Sequence, residues 1–109
     1  KINKVNFFNE FDLKGSSNYA FNLIMKDKDE SYVKKLMKKL QNNNIEFRRG
    51  SSGGGNQLRQ PYLKNYISKN EYKKYPVTDH IHFYGFYIGN YPDLKNSEID
   101  FICKTINDV

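Results

Sequence analysis

Three arginines, a glycine-rich turn and a pair of histidines are the residues of this chain whose types and spacing could do chemistry. Arg48, Arg49 and Arg59 are its only arginines; every other basic residue is Lys or His. A planar guanidinium donates in a fixed fork that matches a carboxylate or a phosphate better than an ammonium does. Between them runs Gly50-Ser51-Ser52-Gly53-Gly54-Gly55-Asn56, a loop whose backbone amides could cradle an anion. It has neither the Gly-Lys-Ser/Thr end of a P-loop nor a Gly-x-Gly-x-x-Gly between a strand and a helix, so it reads first as a surface loop. His80-x-His82 would place two imidazoles on one face of a strand. No cluster of Cys or carboxylates at ligand spacing accompanies them, and we expect a strand entry with one histidine buried or hydrogen-bonded. Asp79 and His80 make no triad, because no Ser or Cys nucleophile stands in a recognisable setting.

Elements that would position these residues can be read from periodicity. Tyr19, Phe21, Leu23 and Met25 alternate with smaller or polar residues, predicting a strand with one buried face over 19–25. Asp29 is a good N-cap for a helix that stacks Tyr32, Val33, Leu36, Met37 and Leu40 on one stripe, with Lys34, Lys35, Lys38 and Lys39 opposite. Asn42-Asn43-Asn44 ends it. Ile45 to Arg49 predicts a second strand beside the first. Residues 61–75 suggest a short irregular helix, and 81–89 a third, aromatic strand. A last helix capped near Asn96 turns Ile99, Ile102, Cys103 and Ile106 inward. This order implies an α+β two-layer sandwich: a small, mainly antiparallel three-stranded sheet with helices on one face. Residues 1–18, with apolar Val5, Phe7, Phe8, Phe11 and Leu13, read as a linker or strand entering the domain at 19–109.

Composition sets bounds on function. A chain of 109 residues supports one compact domain with a modest core. Its start at Lys1 suggests a piece of a longer protein. It carries no apolar run long enough for a membrane span and no signal peptide, and its single Cys103 excludes an internal disulfide, pointing to the cytoplasm. Net charge is +6, but most of it is Lys scattered among Asn and Asp, which describes a solvated surface better than a nucleic-acid face. Nine Tyr and eight Phe would make an RNA platform only if they stood exposed on central strands. Phe83-Tyr84-Gly85-Phe86-Tyr87 lacks the Lys/Arg-Gly-Phe order of such modules.

Ile45-Glu46-Phe47-Arg48, then Gly55-Asn56 running into Arg59-Gln60-Pro61, then Ile88-Gly89-Asn90-Tyr91-Pro92 form an ordered set of motifs. Together they resemble the C-terminal small domain of the DegT/DnrJ/EryC1/StrS family of nucleotide-sugar aminotransferases and dehydratases, over Tyr19 to Asn107. The resemblance implies a parent enzyme dependent on pyridoxal 5'-phosphate, acting on a nucleotide sugar and an amino-acid donor as a homodimer. It implies that an N-terminal large domain holds the cofactor and its lysine, so this segment alone carries no cofactor, no catalytic residue and no metal. Arg48, Asn56, Arg59 and Gln60 would be its substrate-binding residues. Arg49 and the longer glycine loop depart from the family pattern, where Pro commonly follows the first arginine. The alternative is a free-standing basic ferredoxin-like module for RNA binding or protein interaction.

Overall fold

The computed structural model describes residues 1–3, 5–8, 12, 14–50 and 55–109. Phe11 and Leu13 of the N-terminal apolar cluster, and Ser51 to Gly54 of the glycine loop, lie outside them. Strand β1 spans Ala20–Ile24 and helix α1 Glu30–Asn42. The Asp29 carboxylate accepts from the Tyr32 amide at 3.0 Å, satisfying one free donor of the first turn. Val33, Leu36, Met37 and Leu40 are buried as the stripe requires, and Asn44 leaves the helix at φ 55°, a conformation Asn tolerates. Strand β2 is only Phe47–Arg48. Three short 3-10 turns follow, at Gln57–Arg59, Pro61–Leu63 and Glu71–Lys74. Then come helix α2 (Pro76–Tyr84), strand β3 (Gly85–Gly89) and helix α3 (Asn96–Asn107).

The fold is the expected α+β sandwich, with a three-stranded antiparallel sheet and, among the described residues, three helices. Strand order differs from expectation in one respect: β3 lies between β1 and β2, pairing antiparallel with both. The unit β1-α1-β2 is therefore a split crossover, its two parallel strands held apart by the last one. Register places Phe21 and Leu23 opposite Ile88 and Phe86, and Phe47 opposite Ile88. That face packs on α1 and α3 in one core of Leu23, Met25, Leu36, Leu40, Phe86, Ile88 and Ile106. Phe7 joins it, 2% exposed and bridged to Met25, so the entering segment is part of the domain's core.

Three expectations change. The third strand begins at Gly85 rather than at residue 81, because Pro76 starts a helix that carries through Tyr84. Proline lacks the N–H that a first helical turn leaves free anyway, so it favours that position. The exit from α2 into β3 needs a glycine: a Cβ on Gly85 would lie 2.6 Å from the Ile81 carbonyl oxygen. Residues 61–75 form separate 3-10 turns rather than one helix. On β1 only the C-terminal part of the apolar face is covered, for Tyr19 is 79% and Phe21 42% exposed.

Leu36 is fully buried on α1, whereas Ile102 on α3 is half-buried at the margin of the core. Leu36→Ala should cost about 2–5 kcal/mol through lost burial and a residual cavity, and Ile102→Ala less. Chemical denaturation of the two variants, followed by far-UV circular dichroism, measures the difference.

Candidate functional site

The described part of the connection from β2 to α2 is irregular, yet a cluster of polar contacts anchors it to α2. Asn56 caps the first 3-10 turn, its Oδ1 accepting from the Leu58 amide at 3.1 Å, and it is 1% exposed. Its Nδ2 donates to Asp79 Oδ1 on α2 at 3.2 Å. Arg59, at the end of the same turn, meets Asp79 with two donors, Nε on Oδ1 and Nη2 on Oδ2, the latter at 2.8 Å. This is a bidentate, charge-assisted pair, and both side chains are about three-quarters buried. The guanidinium also lies 3.7 Å over the Tyr72 ring and 4.8 Å from that of Phe83. Two aromatic faces and a carboxylate thus compensate one cation.

His82, one helical turn after Asp79, completes the cluster. Its Nδ1 accepts the backbone N–H of Asn56 at 2.9 Å. That contact requires glycine at residue 55, where a Cβ would lie 2.6 Å from Nδ1. It also fixes the tautomer: with Nδ1 accepting, the ring is neutral and carries its hydrogen on Nε2. Burial disfavours the imidazolium, Arg59 adds to the effect, and the His82 pKa falls below its ordinary value. The hydrogen bond from Arg59 holds the Asp79 carboxyl below the usual carboxylate range, and the same bond raises the Arg59 value. His80 points elsewhere, its Nε2 2.7 Å from the Met25 carbonyl oxygen. The two histidines therefore share no face, because α2 is a helix. No group of three or more His, Cys, Asp or Glu suited to a metal exists among the described residues.

Of the residues singled out from sequence, the structure joins Asn56 and Arg59 directly through Asp79. Gln60 is adjacent and half-buried, closing the turn with its amide on the Gln57 carbonyl at 3.0 Å. Arg48 stands apart, opposite Tyr87 on the sheet face turned away from the core, in an exposed ion pair with Glu46 at 3.2 Å. Asn56 and Arg59 are committed to holding the chain, so their chemistry is positional: they fix residues 55–60 on the flank of α2. Asp79, His82, Tyr72 and Phe83 were missed as partners. Asp79 and His82 sit at i and i+3, a shared helical face that Pro76 at a helix start would have disclosed.

Removing one partner of the Arg59–Asp79 pair leaves a part-buried charge unmatched. Asp79→Asn should cost roughly 1.5–3 kcal/mol, against less than about 1 kcal/mol for Arg48→Ala in its exposed pair. Thermal and urea melts of both variants test the ranking. His82 gives a pH signature. Its folded value is depressed, so the unfolded chain, at about 6.5, takes up protons first as pH falls. Stability present above about pH 6.5 is then lost as pH drops through that value toward the folded one. Asp79 contributes in a second window, where stability present above about pH 3.9 is lost as pH falls further. Urea midpoints from pH 7 to 5 should fall in the wild type and stay nearly flat in His82→Gln, which keeps an acceptor without a titrating ring.

In comparison with known proteins, no family model, curated protein or solved structure matches this chain.

Proposed function

We propose that this chain is the C-terminal small domain of a pyridoxal-phosphate-dependent nucleotide-sugar aminotransferase or of a related sugar dehydratase. It closes the active-site cleft and presents substrate-binding residues to it. The observation that carries this reading is the convergence of Asn56 and Arg59, from the Gly-Asn and Arg-Gln-Pro motifs, on the single carboxylate of Asp79. Motif residues that meet at one anchor, and there shape an irregular segment on a rigid helix, are what a cleft-lining loop needs. A second feature supports docking against another domain. Helix α2 has no buried residue, and Val77, Ile81 and Phe83 stand 73%, 37% and 41% exposed. Tyr62 and Tyr66 are also largely exposed, whereas Tyr72 is taken up under Arg59. Apolar exposure of this kind marks an interface more often than a free surface.

When bound in the parent enzyme, the cofactor supplies the electron sink for amino transfer. This chain's residues would orient the substrate and exclude water. The RNA-module alternative has one observation in its favour, since Tyr87 lies on the central strand between Asn22 and Arg48, on the face away from the core. Against it, Tyr87 is half-buried, and the sheet has three strands.

The product of the complete reading frame should bind pyridoxal phosphate stoichiometrically and transfer an amino group from an amino acid to a nucleotide-linked keto sugar. This chain alone should do neither. Visible absorbance after dialysis and mass detection of the aminated sugar measure both. A complete product that takes up no cofactor, or stoichiometric uptake by this chain alone, overturns the reading.

A further inference from the structure

The three arginines differ in what offsets their charge. Glu46 offsets Arg48 and Asp79 offsets Arg59. Arg49 has no carboxylate partner among the described residues. Its Nη2 donates to the Phe83 carbonyl oxygen at 2.6 Å, and a neutral carbonyl satisfies one of its five N–H donors without balancing the charge. Arg49 is half-buried, and this burial lowers its pKa from the ordinary value. A partly desolvated guanidinium is costly to hold beside neutral groups, and an anion would remove that cost.

The neighbouring donor is His82. Nδ1 is taken by the Asn56 amide, so the ring hydrogen is on Nε2. Among the described residues Nε2 makes no hydrogen bond, which leaves its hydrogen as a free donor. The chain leaving Arg49 runs along this ring: a Cβ on Gly50 would lie 4.0 Å from Nε2. Arg49 reaches the same turn of α2, since its Nη2 donates to the carbonyl oxygen of Phe83, the residue after His82. The carboxylate on α2, Asp79, is already paired with Arg59 and hydrogen-bonded by Asn56, so its charge is balanced without Arg49 or His82.

We propose that Arg49 and the Nε2–H of His82 together form a binding site for a small oxyanion, a carboxylate or a phosphate group. Arg49 supplies charge and a fork of donors, and the neutral imidazole supplies one further donor of fixed direction. The site goes beyond the aminotransferase reading, because neither residue belongs to the motifs that carry it. It stands on this chain's geometry if that reading fails.

The test is a nuclear magnetic resonance titration of this chain at neutral pH, following His82 Hε1 and the Arg49 side chain. Inorganic phosphate and acetate are the probes, with chloride at matched ionic strength as the control. Saturable shifts at both residues, with Arg48 and Arg59 unmoved, are expected from at least one probe. Phosphate alone identifies a phosphate site, acetate alone a carboxylate site, and both a general oxyanion site. Arg49→Gln should weaken the binding by about tenfold or more, equivalent to about 1.4 kcal/mol. Shifts that only follow ionic strength, or that appear equally at all three arginines, overturn the proposal in the wild type without recourse to a variant. Unchanged affinity in a folded Arg49→Gln overturns it as well.

Discussion

The pairing of Arg59 with Asp79 is the constraint on which the middle of this molecule depends. Among the described residues between β2 and α2 there is no regular element longer than a 3-10 turn, and almost none of them is buried. A connection of this kind has little apolar area to offset the entropy of ordering it. Residues 55–59 are held because one carboxylate gathers a guanidinium, an amide and, through the Asn56 backbone, an imidazole one turn along the same helix. Each group satisfies the next, so the loss of any one strands polar atoms on the others. Tyr72 and Phe83 shield the pair and strengthen it by reducing its access to water.

How much of this could be read from residues alone depended on how local the signal was. Helix α1 was legible because its cap, its apolar stripe and its Asn terminus lie in one continuous window and agree with one another. The β1 strand was legible for the same reason, although the exposure of Tyr19 and Phe21 depends on which distant elements cover that face, which no window contains. The α2–β3 boundary was not legible. Aromatic and β-branched residues from Ile81 onward favour a strand, and tertiary context overrode that preference as far as Tyr84. The position of β3 at the centre of the sheet also depends on long-range pairing that periodicity does not encode.

The candidate site follows the same division. Asn56 and Arg59 could be singled out as unusual residues in an unusual turn. Their partner could not, because Asp79 was read as the residue before a strand rather than as part of the first turn of a helix. With the helix misread, the relation of Asp79 to His82 vanished, and the expectation that one of the two histidines is buried or hydrogen-bonded named neither which one nor its partner. Arg48 and Arg49 are neighbours in sequence and look equivalent there. Strand geometry sends them to different surroundings, one to solvent beside Glu46 and the other against the end of α2.

The central place of β3 has a consequence for how the domain assembles. Within the three-stranded sheet β1 and β2 both pair with β3, and β3 comes after them in the chain. No rung between two of the three named strands can form until residues 85–89 return across the whole intervening segment, whereas α1 can nucleate from local contacts alone. Sheet closure is therefore the step that bears the large loop entropy, and high contact order of this sort slows folding. Until that step the inner faces of β1 and β2 have no ladder to hold them. The early ensemble is then a helix with loosely gathered apolar segments, and two-layer order arrives with the last strand.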